Sequence, residues 1–492
     1  MPPGISLKEL EARIRDVSLD LDAEAMRRAG YRVVDWIVER HSAIRKSNLG
    51  RELRREETEA LLRESLPEDP IGFDSVFEAY TKNVAPNAIH LDHPRFFAFI
   101  PSAPNFASIL AEALVAGTNV FAGTWLESSG PSQVEIVVID WFKAMLGLPA
   151  EAAGLLVSGG SVANLTALAV ARRAVLKDDI KDTVVYLSDQ THASLDRALR
   201  ILGFRAGQLR HIPADAGFRL DTAELEARVK HDRKAGLRPF LVIANAGTTN
   251  TGAVDAMREV ARIAREQSLW FHVDAAYGGF AALTERGKVL LAGIEHADSV
   301  VLDPHKWFYC PFEAGCVIVR RGRLMRETFR ILPEYMTDVA REEREVNFCD
   351  YGLQLTRGFR ALKVWMSVKT FGARRIREVI DQCLDLTEYA ARLFAESPRI
   401  EIVTPPSLGV FTFRYVPEKL PASGAEEFLN KLNSDLVAHA IASREIMLSS
   451  TRLGARQVIR FCVLNHRTRK EDVREALRLI ERFGREAETN LL

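Results

Sequence analysis

The chain has 492 residues, too many for a single hydrophobic core, so one large domain with smaller appendages is expected. Lysine plus arginine and aspartate plus glutamate each total 66, and this zero formal net charge argues against nucleic acid as the main partner, since a phosphate backbone is bound through excess basic residues. The five cysteines (Cys310, Cys316, Cys349, Cys383 and Cys462) are odd in number and lack metal-ligand spacing, which predicts reduced, mostly buried thiols and no metal site.

The opening residues, Met1-Pro-Pro-Gly-Ile-Ser, carry no basic region leading into an apolar segment, so no secretory signal is expected and the protein reads as cytoplasmic. From about Leu21 to Ile44, apolar residues recur at Met26, Val33, Val34, Ile37 and Ile44 among charged neighbours, the period of an amphipathic helix. The charged stretch Arg51 to Glu59 reads as a solvated helical surface, which Pro67 and Pro70 must end. With so little core of its own, this N-terminal segment (1–90) is expected to pack on a partner subunit. The most apolar stretch, Phe106 to Trp125, is interrupted by Glu112, Gly117, Asn119 and Gly123, which excludes a membrane span there.

Between roughly Gly154 and Arg320, short apolar runs alternate with helical stretches: Val184 to Leu187, Phe240 to Ala244, Trp270 to Val273, Val300 to Leu302 and Cys316 to Val319. Such alternation predicts an α/β domain (91–389) with a largely parallel sheet covered by helices. Ligands of open α/β sheets lie beyond the carboxyl ends of the strands, and Asn245, Asp274 and Lys306 all fall just after such runs. The remaining residues (390–492) offer strands at Ile400 to Val403, Val410 to Tyr415 and Val458 to Val463, then a helix from Glu471 to Phe483, a small α+β domain.

The chemistry is concentrated in the middle of the chain. Ser158-Gly159-Gly160-Ser161 offers a glycine turn running into a helical stretch, Leu165 to Ala174, where close backbone approach and free N–H groups suit a phosphate. Neither the dinucleotide glycine fingerprint nor the GxxxxGK[ST] loop occurs here, which disfavours an NAD-dependent dehydrogenase. His192 follows the run Val184 to Leu187 and could lie flat on a cofactor ring. In Asp303-Pro304-His305-Lys306-Trp307 an apolar run delivers a lysine, and a lysine amine can condense with the aldehyde of pyridoxal phosphate. Asp274 ends an apolar strand. A carboxylate there would favour the protonated pyridine nitrogen by on the order of 4 kcal/mol at about 4 Å in an effective dielectric of about 20.

Taken in order, His93-Pro-Arg-Phe-Phe-Ala-Phe99, the Ser-Gly-Gly-Ser turn, Asp189-Gln-Thr-His192, Gly247-Thr-Thr249, His272-Val-Asp-Ala-Ala-Tyr277 and Pro304-His-Lys-Trp307 mark a chain that resembles the pyridoxal-phosphate-dependent group II decarboxylases, and among them the aromatic-L-amino-acid decarboxylases. The resemblance implies fold type I, a mostly parallel seven-stranded central sheet with helices on both faces, and a homodimer with active sites at the subunit interface. It implies that Lys306 forms the Schiff base, Asp274 pairs with the pyridinium and His192 stacks on the ring. Gly160 and Ser161 would hold the phosphate, Ala276 would pack beneath the ring, and Asn245 and His305 would add polar contacts. Tyr335 matches the loop tyrosine that returns a proton to Cα, and 337–347 reads as a charged lid over the site. Relatives with Phe at the Tyr335 position tend to form an aldehyde with oxygen, so Tyr335 favours simple decarboxylation to amine and carbon dioxide. Phe99, Pro101 and Phe121 lie on segments that line the family's substrate pocket, some from the neighbouring subunit, and favour an aromatic amino acid. The chain departs from the animal and plant pattern at Phe121 and Gly123, which leaves the accepted side chain open. Decarboxylation of histidine, glutamate or an aliphatic amino acid, and oxygen-dependent aldehyde synthesis, stay as alternatives. A non-catalytic scaffold would require a damaged site, and every position needed for chemistry carries a competent residue.

Overall fold

The computed structural model describes residues 5–15, 17–100, 103–331 and 344–491. The chain divides into two compact units, Met1–Ile89 and His90–Leu492. The first is helical, with Leu7–Arg13, Ala23–Ala43, Arg55–Leu62 and Phe73–Ala79 as its α-helices. Asp22 caps the longest of these by accepting from the Ala25 N–H, the position where a short acidic side chain satisfies a free helix donor. Trp36 packs edge-on against Phe77 and Tyr80, and Arg32 lies over the Phe77 ring while pairing with Asp74 and Glu78. Neither Ala23–Ala43 nor Phe73–Ala79 has a buried residue, and Met26, Tyr31, Val34 and Val38 stand exposed.

The second unit holds two sheets. The larger is built from β1 (Ala153–Val157), β2 (Thr183–Ser188), β3 (Leu209–Ile212), β4 (Arg238–Asn245), β5 (Trp270–Asp274), β6 (Ser299–Leu302) and β7 (Gly315–Val319) in the order β1-β7-β6-β5-β4-β2-β3. Strands β3, β2, β4, β5 and β6 run parallel, and β7 runs antiparallel to both of its neighbours. Every residue of β2, β5, β6 and β7 is buried, as a sheet covered on both faces requires, and this is why these strands read as unbroken apolar runs. From β2 the chain steps outward to β3 and then back past β2 to β4. The carboxyl ends of β2, β4, β5 and β6 therefore surround a topological switch point, where a ligand crevice is expected.

The smaller sheet is antiparallel, made of β8 (Ile400–Ser407), β9 (Val410–Tyr415), β10 (Ser449–Leu453) and β11 (Arg456–Cys462) in the order β10-β11-β9-β8. Helices Ala425–Ser443 and Lys470–Leu491 and the end of Ala361–Ala395 complete a core around Phe394, Phe411, Phe413 and Phe461. Phe97 belongs to this second core. Its ring stacks on Phe461 at 4.1 Å, and its backbone bonds to Met447 and Cys462, so the His93–Phe99 segment is tied to the small sheet. All five cysteines are free and buried. Among the described residues no helix is long and apolar enough to cross a membrane.

Candidate active site

A cavity of about 610 Å³ opens at the carboxyl ends of β4, β5 and β6. Lys306 reaches it from the turn after β6, a turn closed by the Lys306 N–H donating to the Asp303 carbonyl at 2.8 Å. The Lys306 Nζ sits 2.9 Å from Asp303 Oδ2, whose carboxylate is buried. Burial pushes the Lys306 ammonium toward its neutral form, but the Asp303 and Asp274 carboxylates outweigh this and hold its pKa above the ordinary lysine value. The resting amine is therefore charged, and the Asp303 carboxylate is its ion-pair partner. His305 accepts from the Ala314 N–H at Nδ1, and burial lowers its pKa more than Asp303 raises it, so its ring is neutral near pH 7.

Asp274 ends β5 with each carboxylate oxygen partnered once. Oδ1 accepts from the Ala276 N–H and Oδ2 from Asn164 Nδ2, each at 3.1 Å. Asn245 lies directly across the ladder from Asp274 and is held by Asp255, which accepts from both its backbone N–H and its side-chain amide. His192 is the N-cap of helix Ala193–Ile201; its Nδ1 meets Ser194 Oγ at 2.8 Å and accepts from the Ser194 N–H. With Nδ1 so occupied, Nε2 carries the ring's proton in the neutral form.

Opposite these groups, helix Gly160–Ala171 begins at the Ser158–Gly160 turn without a side-chain cap, and its first N–H groups stand at the cavity wall. The turn is packed tightly. A Cβ on Gly160 would come within 2.8 Å of Asp303 Oδ2, and one on Gly315 within 2.5 Å of the Gly159 backbone. The glycines thus let β7, the turn and the Asp303 carboxylate approach one another.

The structure brings Gly160, Ser161, His192, Asn245, Asp274, Ala276, His305 and Lys306 to this one cavity, together with Phe99. Phe99 takes a left-handed backbone (φ 54) and is 53% exposed, its N–H donating to Ser449 and its carbonyl accepting from Arg460. Phe121 does not line the cavity within one chain; its ring folds back over Gly123, where a Cβ would meet it at 2.2 Å. Pro101, Tyr335 and the lid segment as far as 343 lie outside the described residues. Sequence reasoning assigned no role to Asp303, Asn164, Ser194 or Phe312, all of which face the cavity. Asp303 had a signal, an acid placed directly after a buried strand, while nothing local marks Phe312.

Residues 55–416 match the model of the pyridoxal-dependent decarboxylase conserved domain. The chain belongs to the pyridoxal-dependent decarboxylase family. It is 41% identical over 470 residues to an aromatic-L-amino-acid decarboxylase of Bacillus atrophaeus, covering 95% of this chain and 97% of that one. A phenylacetaldehyde synthase of Arabidopsis thaliana is 31% identical, with 94% and 96% covered. Among solved structures, Oryza sativa TDC with pyridoxal phosphate and tryptamine superimposes with a TM-score of 0.90 at 28% identity, over 96% of this chain and 99% of that one.

The cavity of this decarboxylase fits the family's cofactor, pyridoxal phosphate, on chemical grounds. The uncapped helix end offers backbone donors to a phosphate. Asp303 Oδ1 is buried without a hydrogen-bond donor among the described residues, and Asp274 is a second carboxylate at the cavity wall, so the site is rich in negative charge that a cationic ring would balance. Lys306 supplies the amine.

Proposed function

We propose that this protein decarboxylates an L-amino acid with an aromatic side chain, releasing carbon dioxide and the amine, with Lys306 holding the cofactor's aldehyde. The observation that carries the reading is the 41% identity to an aromatic-L-amino-acid decarboxylase across 95% of the chain, joined to a cavity that gathers Lys306, Asp274 and His192. When bound, pyridoxal phosphate supplies an electron sink for the pair released as the Cα–carboxylate bond breaks. Asp274 would favour a protonated ring nitrogen, and His192 would help to hold the ring. Gly160 and Ser161 present backbone and hydroxyl donors to the phosphate. Asp303 would hold Lys306 Nζ through their ion pair, and the ammonium must shed its proton before the amine can attack an aldehyde. Tyr335 returns a proton to the substrate Cα after carbon dioxide leaves. Phe99 and Phe312 offer aromatic surface to the substrate side chain.

Replacing Lys306 with Ala is expected to lower carbon dioxide release by at least about 1,000-fold, as loss of an activated nucleophile does. Release at the wild-type rate would sink the assignment. A second reading, oxygen-dependent aldehyde synthesis, draws on the 31% identity to a phenylacetaldehyde synthase. Tyr335 favours the amine, and measuring amine against aldehyde and peroxide separates the two. A panel of Tyr, Trp, Phe, DOPA, His and Glu identifies the preferred side chain. We further propose a cytoplasmic homodimer with a three-part chain: an N-terminal segment (1–90) on the partner subunit, a cofactor-binding domain (91–389) and a small C-terminal domain (390–492). The exposed apolar residues of helix Ala23–Ala43 support the first of these.

A further inference from the structure

The carboxyamide of Asn164 stands where two hydrogen-bonded paths meet. Its Nδ2 is 3.1 Å from Asp274 Oδ2 and 3.3 Å from Ser194 Oγ, and Ser194 Oγ lies 2.8 Å from His192 Nδ1. Its Oδ1 faces His272 Nε2 at 2.9 Å, His272 Nδ1 meets Ser299 Oγ at 2.8 Å, and Ser299 Oγ accepts from Trp270 Nε1 at 2.9 Å. Asn164, His272, Ser299 and Trp270 are all buried, so water cannot stand in for any of these partners.

Donor and acceptor roles admit one consistent assignment. A carboxylate only accepts, so Asn164 turns its NH₂ toward Asp274 and its carbonyl toward His272. His272 must then donate from Nε2 and accept at Nδ1. Ser299 gives its hydroxyl proton to that Nδ1 and receives the indole proton of Trp270. Burial lowers the His272 pKa to about 4, which keeps the ring neutral and preserves this single tautomer. On the other branch, Ser194 receives the second Asn164 amide proton and donates to His192. Every donor on the first branch points toward Asp274, and hydrogen bonds aligned in series polarise one another.

We propose that Asn164 is the positioning residue of the site, holding Asp274 with one amide hydrogen and His192, through Ser194, with the other, while His272, Ser299 and Trp270 fix the direction of its amide. Asn164 acts through residues that the reading above places on the cofactor ring, and the inference rests on that part of it. Losing the donor would free the Asp274 carboxylate to rotate, so the ring nitrogen would lose its fixed partner. A less positive ring nitrogen in turn raises the proton affinity of the nitrogen that Lys306 contributes.

The test replaces Asn164 with Ala, which removes both donors, and with Asp, which keeps the shape but sets a carboxyl against Asp274. Both are expected to weaken pyridoxal phosphate binding by about 10- to 100-fold, the range for a lost bond to a charged group. Both should also shift the pH profile of the bound cofactor's absorption toward higher pH by about one unit, and lower kcat more than they raise KM. His272→Gln, which can still donate to Asn164 Oδ1, should retain cofactor affinity that His272→Ala loses. Unchanged affinity and pH profile in folded Asn164→Ala, with only a lower Tm, would overturn the proposal. Should both Asn164 variants fail to fold, equal cofactor affinity in His272→Gln and His272→Ala would overturn it instead. Affinity and absorption are read without substrate, so their failure is distinct from a failure of the aromatic-substrate assignment.

Discussion

At His272 burial holds the imidazole pKa near 4, below the ordinary value of 6.5, although Asp274 pulls the other way. Between those two values the unfolded chain takes up a proton that the folded state refuses, so the stability this residue contributes is complete above pH 6.5 and is lost as the pH falls toward 4. The loss is on the order of 3 kcal/mol. Asp255 works in the opposite sense: burial raises its folded pKa to about 6, so its contribution is full below 3.8 and disappears as the pH rises through 6. His272→Gln removes only the first of these. The Tm difference between wild type and this variant is therefore expected to be largest near pH 7 and to shrink toward pH 4, and a difference that stays constant over that range would contradict the argument. The sequence placed His272 in a motif but could not show that its side chain meets Asn164, because a helix and a strand distant along the chain supply the two.

At the scale of elements, helix Trp125–Leu146 is locked to β1 by a buried pair. Glu135 receives the Arg357 guanidinium through both oxygens and also accepts from the Leu156 N–H, while Arg357 donates to the carbonyls of Ala122 and Leu156. Both side chains are essentially sealed from solvent. Removing one partner of such a pair strands the other charge, so Glu135→Ala is expected to cost about 3–5 kcal/mol in urea unfolding. A loss under about 1 kcal/mol would mean that the pair behaves like an exposed one. The same scale explains which elements were legible. Strands β2, β5, β6 and β7 are buried along their length and β4 from Phe240 onward, each with an apolar run, whereas β1, β3 and β10 lie at sheet edges and carry Ala-Gly, Arg-His or Ser-Ser-Thr-Arg within short spans. The helix after the glycine turn begins at Gly160, earlier than the apolar pattern suggested, because glycine and serine at a helix start resemble a loop.

At the scale of the whole molecule, a helical unit that leaves Met26, Tyr31, Val34 and Val38 exposed lacks cover for its apolar side chains. A second copy of the chain is the expected cover. Light scattering should give a single species of twice the 55.0 kDa chain mass, and Val34→Glu with Val38→Glu should shift it toward one chain. A wild-type monomer at micromolar concentration would count against the homodimer. The sequence by itself determined the α/β class, through apolar runs for buried strands, and pointed to the family through motif resemblance, with Gly160, His192, Asp274 and Lys306 among the small or polar residues near the ends of those runs. Only the tertiary structure decided that the Asp303 carboxylate meets Lys306 Nζ, that Phe97 belongs to the small sheet, and that Asn164 joins Asp274 to His192. The first lies within one turn and depends on how that turn is packed, while the others join segments far apart in the chain, fixed by strand order and helix packing, which leave no periodic trace in the residues that make them.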